Sequence, residues 1–411
     1  MKKLVFILSF FLIFTSCSKR VSTDDTQIVQ AKPKLAIVIV PFSDVLGTSP
    51  IAQSQKYVTQ RYQNLPCSTS QQSKWDRAHQ VLFQQIVIVK KENAHEVFIE
   101  IPHLLIQKAP HQKPFNLQGW MKKTDLLFLD ELSQNALAFL PDIDHMLTQD
   151  TKRPTLCLRQ PYTLKETKLT LSAATHLIIA KEFKTNYLCY VIDSTKKGFS
   201  VAIIPKSIAL ISPKNDRKKQ LEIFHQLIKL WAHPKDGFIP YVLGGSSITT
   251  FQKSGFNKKT LKTKEKVTHV YDRTFKTPVK SGLDCSTLIY LAARCARLPY
   301  FAKNTTTAFY QLNRVNQATP VKKGDVIFIP GHVMVISSVE PLRIIQSRGY
   351  SSGVGHVTEN LAQDFLYNIK TVNDLKNAFL KNKPLVYKNS KGKAGKSYKR
   401  WQLLQFEGSL P

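Results

Sequence analysis

Ser281-Gly282-Leu283-Asp284-Cys285-Ser286-Thr287-Leu288-Ile289 decides the reading of this chain. A cysteine sits where a turn gives way to an apolar helix. Leu288, Ile289, Leu291, Ala292 and Cys295 recur at helical spacing, which puts Cys285 at the helix start. A helix N-terminus lowers a thiol pKa, and so does a neighbouring imidazolium. Gly331-His332 supplies that second group at the head of a later strand, His332 to Ser337. Gln346 lies in the next predicted strand, Leu342 to Ser347, where antiparallel pairing brings it beside His332 to orient the ring. Free peptide N–H groups near Cys285 complete the set as an oxyanion hole. Each residue alone is a weak signal, because buried structural cysteines and satisfied histidines are common. Their order and placement raise the joint reading.

Working outward, residues after Asn215 carry Leu221, Phe224, Leu227, Ile228 and Trp231 at helical spacing, ending near Pro234. A basic insert spans Lys253 to Lys280 and precedes the Cys285 helix. A further helical stretch is read near Thr306 to Asn313, and a strand over Val326 to Ile329 after Gly324-Asp325. Lys381 to Arg400 is basic, with Gly and Ser between, and reads as a solvated tail. Upstream lie two sets of short strands separated by turn-rich loops, the pattern of small barrels or sandwiches. The first includes Leu35 to Val40, Gln85 to Val89, Glu96 to Ile101 and a run opened by Gly119-Trp120. The second includes Leu156 to Leu158, His176 to Lys181, Tyr187 to Ile192 and Phe199 to Ile204. Gln134 to Gln149 reads as a linker or short helix between them.

The chain has 411 residues, enough for two to four domains, and is 43% apolar, enough to build cores. Lys and Arg number 59 against 28 Asp and Glu, a formal charge of +31 that suits an anionic surface: lipid headgroups, wall polymers or nucleic acid. The N-terminus reads as an export signal, with Lys2 and Lys3 before the apolar run Leu4 to Phe14. That run is shorter than the roughly 20 apolar residues a membrane span needs. Phe14-Thr15-Ser16-Cys17 resembles a lipobox, although Phe14 stands where Leu is usual. The resemblance implies a lipid on Cys17. Ser18, rather than the Asp that retains lipoproteins in the inner membrane, implies a periplasmic protein anchored to the outer membrane. Residues 18–33 are a polar tether. Six cysteines are present. Cys67, Cys157, Cys189 and Cys295 remain after Cys17 and Cys285. Cys157 and Cys189 share a predicted domain in a compartment that permits disulfides, but sequence leaves the connectivity open. Cys295 is most simply buried core.

Four stretches in order resemble the NlpC family of cell-wall cysteine peptidases. They are Pro240-Tyr241-Val242-Leu243-Gly244-Gly245, Leu283-Asp284-Cys285-Ser286, Gly324-Asp325-Val326-Ile327-Phe328 and Gly331-His332-Val333-Met334-Val335-Ile336. Gln118-Gly119-Trp120-Met121 resembles the Gly-Trp-Val step of a bacterial SH3-like domain. The resemblance implies a multidomain chain with two small all-β SH3-like barrels at 34–132 and 150–215. An α+β papain-like domain follows at 219–365, then a basic C-terminal extension at 366–411. It also implies a γ-D-glutamyl-L-diamino acid endopeptidase acting on peptidoglycan stem peptides. By that resemblance Cys285 is the nucleophile, His332 the base and Gln346 the third member. Tyr241, Asp284 and Ser286 would bind the free amine of L-Ala, a carboxylate pairing with an ammonium. The bland alternatives are an N-capping Asp284 and a Tyr241 that packs in the core.

Four departures stand out: Thr287 for a Gly, Leu243 for a Trp, Gln346 for a His, and the long basic insert. His356 is a second choice for the orienting role. No metal or cofactor is expected. Two other readings compete: a wall-binding lipoprotein with a degenerate enzyme fold, and nucleic-acid binding motivated by the charge. Against the last stand the export signal and the lack of a recognition motif, so no specific nucleic acid is expected. The basic insert and tail suit anionic lipid or wall polymer better.

Overall fold

The computed structural model describes residues 34–47, 49–50, 54–63, 65, 77–107, 109, 112–137, 139–140, 153–252, 280–349 and 354–406. The export signal with Cys17, the tether, Cys67 and all of the basic insert except Lys280 lie outside the described residues. No helix among them is long and apolar enough to cross a membrane. The architecture is mostly β, in several sheets with few helices.

The first sheet is antiparallel and built from β1 (Lys34–Val38), β2 (Phe42–Leu46), β3 (Arg77–Leu82), β4 (Ile86–Glu92), β5 (Glu96–Ile106), β6 (Phe115–Lys122) and β7 (Leu126–Phe128). Its order is β3-β2-β6-β5-β4-β1-β7. Helix α1 (Gln55–Gln63) follows β2, and a one-turn helix α2 (Gln134–Leu137) opens the connection expected to be a linker or short helix. Gly119 is required in β6, since a Cβ there would lie 2.6 Å from the Leu46 carbonyl oxygen of β2.

The second sheet holds β8 (Thr155–Leu158), β11 (His176–Glu182), β12 (Asn186–Asp193), β13 (Gly198–Pro205) and β14 (Ala209–Leu210). Their order is β13-β12-β11-β8-β14, and a small ribbon of β9 (Tyr162–Thr163) and β10 (Thr170–Leu171) lies alongside in sequence.

The third region begins with α3 (Arg217–Ala232), capped by Asp216, whose side chain accepts from the Lys219 N–H. Strands β15 (Ser246–Ser247) and β16 (Gly282–Leu283) pair just before α4 (Cys285–Cys295), and α5 (Thr305–Gln311) follows. The main sheet has order β17-β24-β18-β19-β20-β21. Its strands are β17 (Asn313–Arg314), β18 (Val326–Ile329), β19 (His332–Val339), β20 (Leu342–Ser347), β21 (Val357–Leu361) and β24 (Gln402–Gln405). Helices α3 and α4 pack on one side of it, and Phe224, Trp231, Leu288 and Ile289 are buried there with Val333, Val335 and Ile345.

The C-terminal stretch corrects the sequence reading. Of the basic extension expected at 366–411, the described residues 366–406 are not separate: after α6 (Ala362–Phe365), α7 (Val372–Leu380) and the hairpin β22 (Leu385–Lys388)–β23 (Ala394–Tyr398) lead into β24. That strand enters the main sheet, with Val326 opposite Leu404 and Ile327 opposite Leu403. Trp401 and Leu403 are buried in one core cluster and Leu404 and Phe406 in another, apolar residues that leave water whatever the charge around them. Most of the lysines that suggested a tail, Lys391, Lys393 and Lys396 of the hairpin among them, lie exposed.

The three regions are tied together near the cysteine helix. On β3, the Gln80 side chain accepts from Ser246 N and Ser247 Oγ and donates to the Lys280 carbonyl. Arg77 pairs with Asp44 at 2.6 Å and reaches the Leu243 carbonyl at 3.3 Å. Gly244 has φ +69, and a Cβ on it would meet the Arg77 carbonyl oxygen at 2.2 Å, so this docking needs a glycine. From β5, Leu105 exchanges backbone hydrogen bonds with Phe301 and Lys303. The second sheet holds α3 through Trp231 Nε1, which donates to the Arg159 carbonyl.

Candidate active site

Asp284 is the N-cap of α4. Its Oδ1 accepts from the Thr287 N–H at 2.8 Å, while Thr287 Oγ1 accepts from the Asp284 N–H at 2.9 Å. This reciprocal cap fixes Cys285 as the first helical residue. It also gives a structural role to Thr287, the residue in a position expected to hold Gly, and the Thr287 hydroxyl donates to the Gly245 carbonyl as well. The capping reading of Asp284 is therefore met in the structure, and the residue does more than cap.

The Cys285 sulfur is buried and accepts from the backbone N–H of Ser286 and of Val333. The second contact joins the helix start to the head of β19, directly beside His332. Hence the strand that carries the histidine abuts the thiol. His332 Nε2 lies 3.0 Å from Gln346 Oε1. The glutamine oxygen only accepts, so Nε2 carries the proton and Nδ1 is left as the basic nitrogen. Gln346 is fully buried on β20, brought there by the antiparallel pairing that sets Val335 opposite Ile345.

Burial dominates the electrostatics. It pushes the Cys285 thiol up to about 12; the Asp284 carboxylate adds to the rise, and the two N–H groups with Lys303 oppose it. Burial also lowers His332 to about 4, against the hydrogen bond to Gln346, which favours the charged ring. At neutral pH the resting pair is thus thiol and neutral imidazole. In general, a thiol and a neutral imidazole can react by proton transfer from sulfur to a free ring nitrogen as sulfur attacks.

The other expected residues gather around this pair. Ser286 Oγ lies 2.8 Å from Asp284 Oδ1 and 2.7 Å from the Lys303 carbonyl oxygen. Tyr241 is half-buried, and its ring packs where a Cβ on Gly349 would sit 3.4 Å away. Burial raises the Tyr241 hydroxyl, followed by the charges of Cys285 and Asp284. His356 is placed elsewhere: its Nδ1 meets the Val354 carbonyl at 2.8 Å and its ring packs on Phe238. Gln346, not His356, holds the His332 ring.

Three residues escaped the sequence reading. Lys303 is buried and puts its Nζ 3.1 Å from Asp284 Oδ2. Asp284 therefore already faces an ammonium, one supplied by the chain. Sequence offered no periodic cue, since Lys303 follows Phe301-Ala302 in a loop that β5 holds in place. Tyr300 is fully buried, and its hydroxyl finds no hydrogen-bond partner among the described residues. Burial and then Cys285 and Asp284 raise it, which sets it near those two residues. Tyr387 comes from the hairpin read as tail; its hydroxyl donates to the Met334 sulfur of β19 at 3.3 Å.

No family model and no curated protein sequence matches the chain. Solved structures do. The chain is similar to an NlpC/P60 family protein from Bacillus cereus, with TM-score 0.50 and 14% identity, over 80% of this chain and 94% of that one. The likeness is one of fold. NlpC2 from Trichomonas vaginalis matches at TM-score 0.30 and 10% identity over 90% of this chain and 98% of that one. NlpC1 from the same organism matches at TM-score 0.29 and 10% identity, over 82% and 90%. Likeness at that level carries no argument.

Proposed function

We propose that this chain is a cysteine peptidase of cell-wall peptides, hydrolysing the γ-D-glutamyl-L-diamino acid bond of peptidoglycan stems. One observation carries the reading: Cys285 heads a capped helix with its sulfur against the strand start that bears His332, whose ring is held by Gln346. In this reading Cys285 attacks the γ-D-glutamyl carbonyl while His332 Nδ1 takes the thiol proton. The same nitrogen returns the proton to the leaving amine, and water then resolves the acyl-enzyme. The Ser286 and Val333 N–H groups favour negative charge at the sulfur. The resemblance to the NlpC family motifs and the shared fold support the substrate class.

The remaining parts of the proposal follow the sequence. Two SH3-like domains hold the wall, a lipid on Cys17 anchors the protein in the periplasm at the outer membrane, and the basic residues touch anionic polymer. The exposed Lys391, Lys393, Lys396 and Lys399 of the hairpin support that last contact. Tyr241, Asp284 and Ser286 line the site for the L-Ala end.

The test is direct. Purified protein is incubated with L-Ala-γ-D-Glu-diaminopimelate and with intact sacculi, and products are identified by mass spectrometry. Cys285→Ala abolishes release of the diamino acid; an unchanged rate sinks the assignment. A second reading, a wall-binding protein with an idle site, is favoured by the thiol that burial raises to about 12. Alkylation at neutral pH separates the two: a working Cys285 labels faster than the other thiols, and an idle one does not.

A further inference from the structure

Two cysteines outside the site have been drawn together from opposite parts of the chain. Cys157 lies on β8 of the second sheet and Cys295 is the last residue of α4, whose first residue is Cys285. Both are free thiols and buried, at 2% and 1% exposure, and their sulfurs are 2.6 Å apart. Even carbon atoms rest at roughly 3.5–4.0 Å, and sulfur is larger. The approach is built rather than casual. Ser212 Oγ, just after β14, donates to the Cys295 carbonyl at 2.6 Å, and Arg297 donates to Thr155 Oγ1 of β8 at 2.8 Å, so polar contacts hold the end of α4 to the second β region. Sequence left the connectivity open, with Cys157 and Cys189 in one predicted domain. Cys189 instead sits opposite Ile179 and Ala202 in β12, its thiol raised to about 12 by burial.

We infer that Cys157 and Cys295 form a disulfide that ties the second β region to the C-terminal end of the cysteine helix. The oxidant is a disulfide donor, a small-molecule or protein disulfide met as the chain folds. One thiolate attacks the donor to give a mixed disulfide and one donor thiol. The second thiolate then displaces the other donor thiol. Two protein thiols lose two hydrogens, and the donor disulfide gains them as two thiols. Burial raises the Cys157 thiol in the finished fold and shields the bond once made, so oxidation accompanies folding rather than following it. The bond spans two regions that otherwise meet through noncovalent contacts, and it constrains the unfolded chain over a long loop. It does not depend on whether Cys285 hydrolyses anything.

The experiment refolds the reduced, denatured full chain in a mixture of oxidised and reduced glutathione. Free thiols are then blocked with iodoacetamide in denaturant without reductant, and the digest is examined by mass spectrometry. The expected result is a cross-linked peptide pair joining Cys157 to Cys295, absent after prior reduction, with Cys189 alkylated. Reduction of the oxidised protein lowers its thermal midpoint by several degrees. A Cys157→Ala/Cys295→Ala variant keeps the native circular dichroism and shows no such drop. Full alkylation of Cys157 and Cys295 in natively refolded wild-type protein overturns the inference, as does a cross-link from either to Cys189.

Discussion

Asp284 shows how much one side chain is asked to do. It caps α4, accepts from Thr287 and holds the Lys303 ammonium, all while flanking the thiol. A buried pair of this kind is costly to break from one side, because the remaining charge is left without a partner. Lys303→Met should therefore destabilise the fold by about 3 kcal/mol. Asp284→Asn with Lys303→Met should cost less than the sum of the single changes, as read from urea midpoints in a double-mutant cycle. An additive result would show that the two charges do not interact. Lys303→Met should also slow alkylation of Cys285, since Lys303 offsets the repulsion from Asp284. At His332 the expectation concerns pH. The ring stays neutral down to about 4, so under the proposed function the acid limb of kcat/KM should fall well below the ordinary histidine value near 6.5. A limb at 6.5 would mean that the imidazole is wet in solution.

Among the elements, those with strong periodicity were legible. Strands Val326–Ile329 and Leu342–Ser347 fall where alternation and flanking Gly and Pro placed them, and α3 follows its apolar stripe. Cys285, His332 and Gln346 were legible for the same reason: a helix start and two adjacent strands fix their mutual placement. Strand β3 (Arg77–Leu82) was not legible. Arg77, His79 and Gln80 are polar, yet buried through partners far along the chain, a pattern that period-2 alternation cannot report. Strand β24 was hidden by charge, its few apolar residues following a long basic run. Its role is testable. A chain stopped after residue 400 leaves β18 without its β24 partner and removes Gln405, which donates to Asp325 Oδ2 at 2.8 Å. Such a chain should lose cooperative unfolding and aggregate through the open strand edge, as gel filtration would show. A soluble monomer with an unchanged midpoint would contradict this.

At the scale of the whole molecule, burial of titratable groups sets a window of stability. His332 and His225 are lowered to about 4, and His79 and His356 are lowered too, all chiefly by burial. The unfolded chain then binds protons that the folded one refuses. The stability these groups contribute is complete above about 6.5 and is lost as pH falls toward 4. Cys285 and Cys189, raised to about 12, act at the other end: their contribution holds below about 9 and is lost as pH rises toward 12. Thermal midpoints should therefore form a plateau between these limits and drop on both sides. A midpoint that kept rising below pH 6 would contradict the buried histidines.

The pairing of β18 with β24 also has a consequence in time. Val326 waits for Leu404 before the sheet that carries His332 and Gln346 is complete. Ribosomes emit a chain from its N-terminus at about 5–20 residues per second. The thiol and its helix thus exist for several seconds before the scaffold of their partner histidine can close. The candidate site is assembled late, and a half-made chain carries Cys285 before His332 and Gln346 are settled.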